Sequence, residues 1–123
     1  MIIDKETILS LNPLLKIHAT GREQDWAIEF SSGAKTSFFI EKIESSDLTK
    51  KQMYAMVALI LSSYDDYLSE NPHDYELWDR IGKIINDNKL LYEDILIYWA
   101  LWHEDDYNLF NITPLVRDFL LKK

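Results

Sequence analysis

The stretch LLKIHATGREQDWAIEFSSGAKTSFFIEKI, residues 14–43, decides the fold class. Leu15, Ile17 and Ala19 alternate with Lys16, His18 and Thr20, the period of a half-buried strand. Trp26, Ile28 and Phe30 alternate with Ala27 and Glu29 in the same way. From Thr36 to Ile43, Phe38 and Ile40 share one face, and Phe39, Glu41 and Ile43 the other. Gly21-Arg22-Glu23-Gln24 and Ser31-Ser32-Gly33-Ala34 supply turn residues between the three runs. Connections this short favour antiparallel neighbours, so the spacing predicts a three-stranded antiparallel β-meander over about residues 14–43.

Outward from that stretch the period is helical. Asp4 can cap a short helix over residues 4–12, with Pro13 limiting its extension. Thr49-Lys50-Lys51-Gln52 matches a capping box, with Leu48 and Met53 placed for a hydrophobic staple. Met53, Met56, Val57, Ile60, Leu61, Tyr64 and Leu68 form the stripe that follows, and Asn71-Pro72 ends it. A further helix is expected over about residues 73–87. Residues 90–103 are apolar nearly all round, which predicts the central, buried helix. Thr113-Pro114 reads as an N-cap with proline at the first helical position. The expected architecture is α+β in one domain spanning residues 1–123. It comprises a short N-terminal helix, the three-stranded meander, and a four-helix C-terminal half over about residues 48–122.

A chain of 123 residues can bury about two thirds of its unfolded surface, enough for a core. Its 47% hydrophobic and 28% charged residues fit a soluble globular protein. The absence of cysteine excludes a disulfide framework and a thiolate nucleophile, and suits a reducing cytoplasm. The opening Met1-Ile2-Ile3-Asp4-Lys5-Glu6 carries acids where a secretory signal has none, and the apolar run from Lys89 to Trp102 is too short to span a bilayer. A cytoplasmic protein without a membrane partner is expected.

No catalytic pattern stands out. His18, His73 and His103 lack partners at useful spacing, and Pro72 breaks the helix that would join Glu70 to His73. The pairs Asp65/Asp66, Glu93/Asp94 and Asp105/Asp106 diverge by about 100° if helical, and do not converge on one ion. Three glycines do not build a phosphate loop. The expectation is therefore a non-enzyme with no metal and no cofactor. The net charge of -8 opposes direct binding of nucleic acid.

That charge is uneven. Residues 1–63 carry 8 acids and 7 Lys/Arg, whereas residues 64–123 carry 13 acids and 6 Lys/Arg. In the acidic half, acids recur beside aromatics. Tyr64, Trp78, Tyr92 and Trp99 fall on apolar stripes and are expected in the core. The candidate partner-binding residues are Asp65, Asp66 and Tyr67, then Asp74, Tyr75, Glu76 and Asp79, then Glu93 and Asp94, and finally Glu104, Asp105, Asp106 and Tyr107. Acids supply a steering field and tyrosines supply rigid contact area, a combination suited to a basic protein. Glu104-Asp105-Asp106 follows an apolar helix, where the negative dipole end disfavours acids, so this charge is expected to serve a partner.

In size, charge and aromatic content the chain is similar to small acidic inhibitors made by bacteria and phages. Among these are immunity proteins that neutralise nuclease toxins and anti-CRISPR proteins that occupy nucleic-acid channels. The resemblance implies an immunity protein that occludes a toxin's basic cleft. The alternatives are an anti-CRISPR-type inhibitor, or a non-enzymatic adaptor subunit using a sheet edge or the Trp26/Phe38 face.

Overall fold

The computed structural model describes residues 1–105 and 108–122, and among these it contains seven α-helices and no strand. The expected α+β fold with a β-meander is therefore corrected to an all-helical one. The reason lies in how each of the three supposed strands is satisfied.

Helix α1 spans Lys5–Leu15. Asp4 caps it, accepting from the Thr7 N–H at 2.8 Å, and Lys51 Nζ lies 3.1 Å from the same carboxylate. The bonds from Thr7, then Lys51, lower the Asp4 carboxyl from 3.8 to about 2. A depressed carboxylate contributes stability that is complete above the ordinary carboxylate range and is lost as pH falls through the folded value. Asp4→Ala is thus expected to flatten the loss of thermal stability between about pH 5 and pH 2, read by circular dichroism melts across that range. An unchanged acid limb would show that Asp4 is not a linked group.

α1 passes through Pro13 rather than stopping before it, and ends where Lys16 adopts a left-handed conformation (φ 57°). With Pro13 in the last turn, only the bond to the Leu9 carbonyl is lost, on an exposed side of the helix. The next residues do alternate: Ile17 and Ala19 are buried, while His18 and Thr20 are exposed. No strand lies beside them. The Asn12 carboxamide instead donates to the Ala19 carbonyl (2.9 Å) and accepts from the Ala19 N–H (3.0 Å). A side-chain amide does for one extended residue what a neighbouring strand does for many.

The second supposed strand is a single helical turn, α2 (Trp26–Glu29), with Asp25 accepting from the Ile28 N–H at 3.4 Å. Trp26 and Ala27, adjacent in sequence, are both buried, which the expected half-buried strand does not allow. The third is α3 (Thr36–Ser45), entered through a 3₁₀ turn at Gly33–Lys35. Thr36, Phe39 and Ile40 are its buried residues, at helical spacing. Phe38 is only half-buried, and the ammonium groups of Lys16 and Lys42 lie 5.8 and 5.4 Å from its ring centre.

All of this packs on α4 (Lys50–Glu70), which starts with the full Thr49/Gln52 capping box. α4 buries residues around most of its circumference, from Tyr54 to Leu68, and contacts α1, α2, α3 and the 3₁₀ turns at Gly33–Lys35 and Lys89–Tyr92. It is the axis of the molecule, a role the sequence had suggested for residues 90–103. Gly33 shows how tightly the chain approaches it: a Cβ there would lie 2.8 Å from Tyr67 N and 3.0 Å from Tyr67 Cα. The Ser32 N–H donates to the buried Ser63 Oγ at 3.1 Å alongside. Gly33→Ala is expected to cost about 1–3 kcal/mol in urea unfolding, because backbone has to move to admit the methyl group. A neutral result would show that the turn lifts off α4 freely.

The remaining helices are α5 (Glu76–Asp87), α6 (Glu93–Ala100), shorter than the expected 90–103, and α7 (Thr113–Leu121). A 3₁₀ turn at Lys89–Tyr92 leads into α6. Arg80 on α5 grips Glu44 on α3 through two nitrogens, holding the Glu44 carboxyl below its usual range. α6 has only eight residues and packs on α7. Thr113 does not cap α7. Its hydroxyl donates to the Trp99 carbonyl at 2.8 Å, tying α7 to α6. One buried cluster takes residues from all seven helices, Leu11, Trp26, Phe39, Ile60, Ile81, Leu96 and Val116 among them. Among the described residues, no helix is long and apolar enough to cross a membrane.

Candidate functional site

The predicted acid–aromatic residues separate into structural and exposed sets. Asp65, on α4, accepts from the Ile112 N–H at 2.9 Å, just before α7, and its backbone carbonyl accepts from Asn111 Nδ2 at 3.1 Å. Burial pushes its carboxyl up, and the backbone N–H groups of Ile112 and Asn111 only partly offset the push. Asp66 accepts from the Ser31 hydroxyl, pinning the segment before Gly33. The Tyr67 hydroxyl donates to the Asp74 carboxylate, and the Tyr64 hydroxyl donates to the Asp74 carbonyl at 3.0 Å. These four side chains, Asp65, Asp66, Tyr67 and Asp74, hold loops onto α4 in the folded chain.

Tyr75, Glu76 and Asp79 are exposed at the first turns of α5, where acids suit the positive end of the helix. His73 Nδ1 and the Tyr75 hydroxyl lie 3.3 Å apart, with the two rings edge to face. Glu93 and Asp94 open α6, and Glu104 and Asp105 follow it. The Asp105 carboxylate and carbonyl both accept from Asn108. Asp106 and Tyr107 lie outside the described residues. Tyr64, Tyr92 and Trp99 are buried as expected, whereas Trp78, also expected in the core, is half-buried and stacks on Tyr64.

The most distinctive surface is the outer face of α6. Ile97 and Tyr98 are each 51% exposed, and Trp102, just beyond the helix, is 45% exposed. Glu93 and Asp94 lie one turn before Ile97 and Tyr98, and Glu104 lies beside Trp102. Apolar rings are thus flanked at both ends by carboxylates. A shallow hollow of about 280 Å³ between Ile97, Trp102 and Glu104 roughens one side of this face.

Arg117, from α7, supports its far end. Leu101 closes α6 in a left-handed conformation (φ 46°), leaving the last carbonyls open. Arg117 donates to the carbonyls of Ala100 (2.6 Å), Leu101 and Glu104 (3.3 Å), and its guanidinium lies 5.5 Å from the Trp102 ring centre. The negative helix end that the acids appeared to aggravate is therefore met by a buttressing cation.

On the other side of Tyr98, a groove of about 310 Å³ runs between α6 and α2. Its floor is Tyr54, Ala58 and Ser62, one face of α4. Ile28, Ile95 and Tyr98 wall it, and Asp25 and Asp94 supply the carboxylates. Asp94 accepts from the Tyr54 hydroxyl (2.7 Å), the Ile95 N–H (2.9 Å) and the Met1 amino group (3.2 Å). Burial pushes its carboxyl up, but those donors outweigh it and hold the group below its ordinary value. The Tyr54 phenol is raised by burial and by its bond to Asp94.

No protein-family model, curated protein or solved structure matches the chain.

The adaptor surface imagined on the Trp26/Phe38 face does not exist as drawn: there is no sheet among the described residues, and Trp26 is 3% exposed. Its indole N–H is buried without a hydrogen-bond partner among the described residues. Among the described residues, no group of three or more His, Asp or Glu is placed to hold a metal ion. The residues that sequence reasoning missed are Asp25, Ile97, Tyr98, Trp102 and Arg117. For Ile97 and Tyr98 the signal was a short helix that is apolar nearly all round, since eight residues at the edge of a small domain cannot bury every face.

Proposed function

We propose that this chain is a non-enzymatic protein-binding module that engages a basic partner through the outer face of α6. The partner class that fits is a nuclease toxin or another enzyme acting on nucleic acid, with the chain serving as an immunity-type inhibitor in the cytoplasm. The observation that carries this reading is the exposure of Ile97, Tyr98 and Trp102 between Glu93, Asp94 and Glu104. Central aromatic anchors with a charged rim match the anatomy of a specific interface. The net charge of -8 adds long-range attraction to a positive cleft.

The test is co-expression with the product of the adjacent reading frame. The wild-type chain is expected to rescue growth, with an association rate that falls about tenfold or more between low and high salt. Ile97→Ser with Trp102→Ser is expected to weaken binding about tenfold or more, the scale of lost interface anchors, while leaving the fold intact. Binding that ignores both salt and these substitutions would remove the α6 face from consideration.

A further inference from the structure

The groove beside Tyr98 has a chemistry that the outer face of α6 lacks. At about 310 Å³ it sits at the small end of ligand-binding cavities, a size for one side chain rather than a cofactor. Its depth comes from Ala58 and Ser62, small residues one turn apart on α4. Its walls are aliphatic and aromatic, and its two charged residues, Asp25 and Asp94, are both acids. No lysine or arginine lines it. Lys50 and Lys51 line one other acid-bearing hollow and Lys83 another, whereas the hollow that shares Asp25, Tyr54 and Ala58 with this groove adds Glu23 and extends its acidic character.

We infer that this groove receives a single arginine or lysine side chain from the basic partner. The inference rests on the partner-binding reading above. The aliphatic stem lies against Ile28, Ile95 and Tyr98, and the cationic head meets the carboxylates of Asp25 and Asp94. An occupant that is apolar along its length and charged at its tip is what this lining selects. Asp94 is held in place by Tyr54 and the Ile95 N–H, so little ordering remains to be done when a cation arrives. The Tyr98 ring adds a π face beside the head group. The Met1 amino group, already 3.2 Å from Asp94, is joined or displaced by the incoming cation.

The groove is tested by amide NMR titration of the whole chain with Nα-acetyl-arginine N-methylamide, and with its neutral citrulline counterpart. Saturable shifts are expected at Ile28, Tyr54, Ala58 and Tyr98. Citrulline, or Asp25→Asn with Asp94→Asn, is expected to weaken binding about fivefold or more, the upper range for partly exposed ion pairs. Ala58→Leu, which fills the floor and keeps both carboxylates, is expected to abolish the shifts. Absence of saturable shifts, equal binding of citrulline, or indifference to Ala58→Leu would overturn the inference. Growth rescue separates it from the broader reading. Rescue that needs Ile97 and Trp102 but tolerates Ala58→Leu leaves the α6 interface standing and removes the groove. Rescue that tolerates all three changes removes both.

Discussion

Replacing Tyr64 by alanine is expected to cost about 3–5 kcal/mol, the scale of a buried ring deleted from a packed core. Tyr64 is fully buried on α4. Its ring stacks on Tyr67 at 6.0 Å and on Trp78 at 6.2 Å, and Trp78 in turn meets Phe119 edge to face. One side chain thus joins α4, α5 and α7. Its hydroxyl also donates to the Asp74 carbonyl and fixes the loop before α5. Tyr64→Phe keeps the stack and loses that bond alone, so about 1 kcal/mol is expected. Urea unfolding of both variants measures the difference, and the alanine variant should melt at least about 10 °C lower. A loss below that of Tyr64→Phe would mean that the aromatic column does not hold these helices together.

Arg117→Met is expected to cost about 2–3 kcal/mol, because charged donors are withdrawn from the carbonyls of Ala100, Leu101 and Glu104 at the end of α6. The buried end of α6 is exposed to this loss most directly, since Ala100 is fully buried. Arg117→Lys is expected to recover only part of it. A lysine keeps the charge but not the planar fork that reaches the carbonyls of Ala100, Leu101 and Glu104 together. The variant also frees Trp102 from the guanidinium and should weaken partner binding alongside stability. Denaturation and binding measured on the same proteins decide it: unchanged stability in Arg117→Met would show that the α6 end is satisfied by water.

The two halves of the chain differed in how readily they could be read. Thr49 with Gln52, Asn71-Pro72 and Pro114 are local devices whose geometry works within a few residues, and they mark α4 and α7 correctly. Within residues 14–43 Asp25 caps only a single helical turn, and no comparable device marks α3. Ile17 and Ala19 alternate because an extended chain crosses the core alone, held by Asn12, and this pattern is the same one a strand produces. Thr36, Phe39, Ile40 and Ile43 fit a helix as well as Phe38 and Ile40 fit a strand. Strand preference of Phe and Ile depends on what they pack against. Here that is α4, far along the sequence.

The site divides in the same way. Acids beside tyrosines were visible, but whether an acid faces solvent depends on partners 7 to 47 residues away, as with Tyr67 and Asp74 or Asp65 and Ile112. The outer face of α6 was hidden by its own hydrophobicity, which reads as core.

By itself the sequence determined the acidic field, the capping box of α4, the helical second half, and the aromatic core of Tyr64, Tyr92 and Trp99. These follow from charge count and from contacts within one or two helical turns. Only the tertiary structure decided that the supposed second and third strands are the helices α2 and α3, that α4 and not α6 is central, and that Asp25 lines Asp94's groove. Those depend on which faces meet across long separations, and the energy of such meetings is not written in local period.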